Sequence, residues 1–91
     1  MIKEQLLQDL KTAMREKDVL RRDMLQISRA AVLQTEKDSQ TELDEAGVMA
    51  LIAKEVKKRE ELLSDLENSD RQDIIDRTNA EIAVFKAYLP E

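Results

Sequence analysis

Lys54, Lys57 and Lys58 fall within about 100° of one another if the segment is helical, on the side away from Ile52. A strip of that kind can meet the phosphate oxygens of an RNA backbone. It can equally be a solvated outer face, since Glu55, Glu60 and Glu61 are near enough to pair with it. A second basic group, Arg15, Lys17, Arg21, Arg22 and Arg29, is expected around a turn between the first two helices, diluted by Asp18 and Asp23. Arginine forks suit phosphate oxygens. Arg71 is a further cation, in a first helical turn where the helix dipole disfavours it unless Asp70 and Asp73 offset the charge. All of these are candidate contacts to RNA or to a protein partner.

The chain has one Phe and one Tyr, Phe85 and Tyr88, and no Trp. No aromatic platform for single-stranded bases can be assembled around either basic group, so any RNA would be read by backbone and shape. With no His and no Cys among 91 residues, the commonest metal ligand and general base is absent, as are thiolate zinc sites and disulfides. No catalytic residue, metal ligand or cofactor site is expected. The phenol of Tyr88 reads as packing with a polar edge. A net charge of −5 argues against broad attraction to nucleic acid or anionic membrane and confines any RNA contact to a local patch.

Two charges break the helical pattern. Arg59 falls beside Ile52 and Leu63, and Glu81 beside Ile74 and Phe85, each inside an apolar face. An unpaired charge in either place would incur a desolvation cost of several kcal/mol, so the two are expected to pair between helices three and four. The alternative is an edge position, with the arginine stem lying along the apolar face and its head in water.

Four helices must position these residues, at about 2–17, 18–38, 44–67 and 70–89. Leu6, Leu7, Leu10, Ala13 and Met14 share one face of the first; Leu20, Met24, Ile27 and Ala31, widened by Leu25 and Val32, share one of the second. Asp18 is the expected cap of the second helix, Thr41 or Asp44 of the third, and Asp70 of the fourth. The third helix carries Val48, Met49, Ile52, Val56, Leu63 and Leu66, and the fourth Ile74, Ile82, Phe85 and Leu89 before Pro90 stops it. Short connections and a single Gly predict an all-α antiparallel four-helix bundle forming one domain over 1–91. A chain this short buries only about 60–65% of its unfolded surface, so a homo-oligomer or a further domain would add stability. Nothing in the sequence approaches a membrane span, and a cytoplasmic location is expected.

The closing stretch "DRQDIIDRTNAEIAVFKAYLPE" and the run "LIAKEVKKREE" resemble the YqeY family. Its pattern has an Arg-x-Asp-Leu helix start, a Glu three turns on, a Tyr-Leu-Pro close and a Lys-Glu-x-Lys-x-Arg run in the preceding helix. These fall on Arg71, Asp73 and Ile74; on Glu81; on Tyr88, Leu89 and Pro90; and on Lys54, Glu55, Lys57 and Arg59. Leu10-Lys11, Ala13-Met14 and Lys17-Asp18 keep the family's register in the first helix. Arg22, Gln26, Gly47 and Thr78 depart from it.

The resemblance implies a second helical subdomain beyond Leu-Pro, similar to the tail of the amidotransferase subunit GatB. The chain would then be the N-terminal half, with Pro90 a hinge and Phe85, Tyr88 and Leu89 docking residues facing the absent piece or sitting just beneath it. It also implies a noncatalytic accessory role near a carbon-nitrogen ligase that uses glutamine as amido donor, with tRNA or an amidotransferase-like subunit as partner. The competing expectation is a protein-interaction or oligomerisation domain without an RNA role, using Leu51 and Leu62 as exposed apolar contacts.

Overall fold

The computed structural model describes residues 1–90. Four α-helices follow in order: α1 (Ile2–Arg15), α2 (Val19–Ser39), α3 (Glu45–Asp65) and α4 (Gln72–Lys86). α1 packs chiefly on α2 and α3 on α4; the two hairpins join through α2 against α3 and α4, and through α1 against α3. The antiparallel course of the first hairpin shows in its polar ties: Lys3 reaches Glu36, and Asp9 lies 3.9 Å from Arg21. The result is a four-helix bundle with principal extents of 43 × 30 × 25 Å.

The shared interior holds Leu6, Leu10 and Ala13 of α1, Met24, Leu25 and Val32 of α2, Val48, Ile52 and Val56 of α3, and Ile82 and Phe85 of α4. Each large side chain closed off completely, such as Leu6, Leu25, Ile52 or Phe85, contributes about 1.5–3 kcal/mol of transfer free energy. In α2 the inward face is rotated from the expected one. Ile27 is exposed, whereas Ser28 is buried and returns its hydroxyl to the Met24 carbonyl. A narrow, self-satisfied side chain fits there because the hydroxyl needs no outside partner. Met14 is likewise exposed, because the first hairpin turns immediately after it. Leu51, expected on the surface, packs against the core, while Leu62 is exposed.

Helix ends follow local chemistry in most places. Asp18 accepts from the Arg21 amide and Asp44 from the Gly47 amide, each filling an orphan donor of a first turn. α1 stops at Arg15 rather than residue 17. Lys17 adopts φ 57 in the left-handed region, and the Asp18 amide donates to the Ala13 carbonyl at 2.9 Å, a Schellman closure. Gln40, at φ 55, closes α2 the same way, with Thr41 donating to Glu36.

α4 begins after Arg71, not at Asp70. The Ser69 hydroxyl accepts from the Arg71 amide, and the Arg71 carbonyl accepts from Ile74 and Ile75, so no side chain caps this helix. It ends at Lys86, short of the expected residue 89. Pro90 disfavours helical backbone at Leu89, and the last turn tightens, with Tyr88 and Leu89 donating to carbonyls three residues back.

Glycine in place of Lys17 or Gln40 removes the cost of holding a side chain at positive φ. Each substitution should raise stability by about 0.5–1 kcal/mol. Thermal unfolding followed by circular dichroism should then shift upward by roughly 2–8 °C, whereas Lys11→Gly, inside α1, should shift it downward.

Candidate functional site

Arg59 is the most heavily coordinated side chain of the bundle. Its Nε donates to Glu81 Oε1 at 3.1 Å, and its Nη1 donates to the Glu55 carbonyl at 3.1 Å and to Glu55 Oε1 at 3.0 Å. Nη2 points at the Met24 sulfur, 3.6 Å away, and the guanidinium carbon stands 4.7 Å from the centroid of the Phe85 ring. Arg59 and Glu81 are each only 15% exposed along the side chain. The helical period of α3 and α4 brings both inward, and Glu81 is shared with Arg77 at 3.4 Å.

Burial would raise the Glu55 carboxyl, but hydrogen bonds from Lys58 and Arg59 outweigh it and hold the group below its ordinary value of 4.5. Thr78, near Glu81 on α4, is buried and donates its hydroxyl to the Ile74 carbonyl.

A second polar junction lies where the chain leaves α4. The Tyr88 hydroxyl donates to Asp9 Oδ2 of α1, and Arg21 of α2 approaches the same oxygen at 3.9 Å. Burial first, and the Asp9 carboxylate second, push the phenol well above its ordinary value of 10.0. The tie matters because α1 and α4 share no direct helix face among the described residues. Phe85 is wholly buried, and Tyr88 and Leu89 pack partly against the core. Of the two expected placements, Phe85 cannot face a further piece directly, because this bundle already encloses it. Pro90 alone of that set is exposed.

A third junction was invisible in the sequence. Glu36, near the end of α2, accepts from Lys3 of α1 and from the Leu43 amide at 2.7 Å. Lys3, then the Leu43 amide, hold its carboxyl below 4.5, while Glu36 raises the Lys3 ammonium above 10.5. Glu45 of α3 accepts from the Ile2 amide at 2.8 Å, filling an orphan donor of α1. No local signal marks either acid, because both contacts depend on how the hairpins dock.

The surface cations separate into bound and free. On α3, Lys54, Lys57 and Lys58 are all exposed; Lys58 pairs with Glu55 at 3.0 Å, while Lys54 and Lys57 form no ion pair with the described residues. The second basic group does not assemble as expected. Arg15 and Lys17 are exposed at the first turn, but Arg21 faces Asp9 and Arg22 is held by Asp23 at 2.9 Å. Arg29 lies well along α2, lining a groove with Lys3, Leu6, Leu7 and Leu33. A helix rising about 1.5 Å per residue carries it too far from the turn to join a patch there. Arg71 pairs loosely with Asp73 at 3.7 Å, in solvent.

Removing the Arg59 cation leaves two acids crowded in a half-dry interface. Arg59→Met should cost about 3 kcal/mol, read from the urea midpoint, whereas Glu81→Gln, which keeps an acceptor for Nε, should cost less than half as much. The titrations fix the pH profile. Glu36 and Glu55 sit below 4.5 when folded, so their stabilisation is present above that pH and is lost as acid protonates them. Tyr88 and Lys3 are raised above 10.0 and 10.5, so theirs is present below those values and lost above them. Thermal midpoints should be flat between, and Tyr88→Phe should weaken the alkaline fall.

The family model described as Yqey-like protein matches residues 3–91. The chain is also similar to the altered inheritance of mitochondria protein 41, mitochondrial, of Lachancea thermotolerans, at 32% identity over 85 residues. That alignment takes in 92% of this chain and 46% of the relative, so the chain spans about half the relative's length. With the match running through the Lys-rich face of α3, the Arg59–Glu81 pair and the Tyr-Leu-Pro close, the chain belongs to the YqeY family.

Proposed function

We propose that this chain is a noncatalytic accessory module that docks on the backbone of tRNA, in the service of a glutamine-dependent amidotransferase-type system. The observation that carries the reading is the division of labour among the cations. Arg59 and Arg77 are tied to Glu81, whereas Lys54 and Lys57 of α3 project into solvent without a carboxylate partner among the described residues. The inward guanidinium of Arg59 holds helices together; these two outward lysines are left for something else. The family's relation to the tail of GatB supplies the class of system, and the lysine strip supplies the chemistry of contact.

A rigid helix presenting lysines about one turn apart suits the phosphates of an A-form stem, which is recognised by shape and backbone. The overall charge of −5 works against binding everywhere else on the surface and so orients the encounter. The contact is therefore small and strongly screened.

Titration of the full chain against bulk tRNA at two ionic strengths tests this. Neutralising about three phosphates should give a slope of roughly −2 to −3 in log affinity against log salt. Lys54→Glu and Lys57→Glu should each weaken binding and reduce the slope by about one unit. No binding at low salt, or binding indifferent to both reversals, would reject the reading and leave the module to a protein partner.

A further inference from the structure

The outward side of α2 has features that neither the core nor the lysine strip uses. Met24, Leu25, Ser28 and Val32 face inward. At about 100° per residue, the line opposite them runs through Val19, Asp23, Ala30 and Lys37, with Ile27 and Leu33 on its two flanks. Apolar side chains stand in solvent along it: Val19 is 54% exposed, Ile27 37% and Leu33 59%. Ala30, at the centre, is exposed as well.

The charges on this line are placed symmetrically about Ala30. Asp23 precedes it by the same seven residues by which Lys37 follows it, close to two helical turns each way. Lys37 is exposed and forms no ion pair with the described residues.

We infer that two copies of this chain associate through α2, antiparallel and crossing at Ala30, so that Asp23 of each copy meets Lys37 of the other. In a two-fold pair the same patch serves both molecules, and positions equally far before and after the crossing come face to face. Asp23 and Lys37 satisfy that condition, giving one symmetry-related contact on each side of the crossing. Parallel pairing would instead set Asp23 against Asp23 and Lys37 against Lys37, so the charges select the direction. A different protein would have no need of this symmetry, which is the reason for assigning the face to a second copy.

The small Ala30 side chain lets the helices approach. Leu33 then lies across Ala30 and Gln26 of the second copy, and Ile27 across its Ala30 and Gln34. Residues 19, 23, 26, 30, 33 and 37 alternate by four and three, the spacing of a helix-to-helix seam. Asp23 already accepts from Arg22 at 2.9 Å, so the incoming Lys37 shares a carboxylate rather than meeting a bare one. A contact between two single helices buries less than the ~800 Å² per molecule of a standard interface. With like net charge on both copies, the dissociation constant should fall in the range of about 10–1,000 μM.

Sedimentation equilibrium of the full chain, from about 10 μM to 1 mM at low salt, tests this by mass action. The weight-average mass should climb from the 10.5 kDa of one chain toward twice that value. Leu33→Asp and Asp23→Lys should each hold it at the lower value with helical circular dichroism unchanged. The double exchange Asp23→Lys with Lys37→Asp should recover association, which a general loss of surface quality would not do. A single-chain mass throughout, association that survives Leu33→Asp, or failure of the double exchange to recover it would overturn the inference. None of these outcomes bears on tRNA binding through α3, which uses a different helix.

Discussion

A guanidinium held inside a helical interface sets the geometry of the second half of this protein. Arg59 engages Glu55 on its own helix and Glu81 on α4, and lies against Phe85 and Met24 from a third direction. An arginine can do this because its planar head offers several donors in fixed directions while its faces tolerate aromatic carbon. The relative position of α3 and α4 is thereby specified by angles as well as by apolar contact. Apolar side chains alone would accept small slides along the helix axis; the forked hydrogen bonds do not.

Around that centre, acids join elements that the core contacts only loosely. Glu36 binds the start of α1 and the loop after α2, and Asp9 collects the end of the chain and the beginning of α2. Each of these carboxylates serves more than one donor, which lets a small domain with a modest interior fix its ends. The same arrangement explains why so many cations that could have formed a binding surface do not. Arg21, Arg22 and Arg59 are occupied within the chain, whereas Lys54 and Lys57 stand on the outer face of α3 without an ion pair to the described residues.

Much of this was legible in the order of residues, because much of it is local. The inward faces of α1 and α3 follow the helical period, and Asp18 and Asp44 cap through bonds spanning three residues. The same period places Arg59 and Glu81 on facing surfaces. Where the reading failed, a distant contact decided. Two apolar sets overlap on α2, and docking of the second hairpin, not hydrophobicity, put Ser28 inside and Ile27 outside. Asp70 lost the cap of α4 to a turn built by Ser69. Tyr88 leaves the helix because the final turn tightens before Pro90, which carries its ring to Asp9. Family membership followed from the α3 run and the Tyr-Leu-Pro close, whereas Glu36 and Glu45 carried no marker at all.

Asp44 and Glu45 are neighbours, yet they serve different helices: the first caps α3, which begins directly after it, and the second, the first residue of α3, reaches across to the amide of Ile2. The opening turn of α1 therefore has no closure of its own and borrows one from a residue 43 positions away. Its backbone can be protected only after the two hairpins have come together. The exchange of that single amide with solvent deuterium would thus keep time with the separation of the hairpins, reporting a global event from the very tip of the molecule.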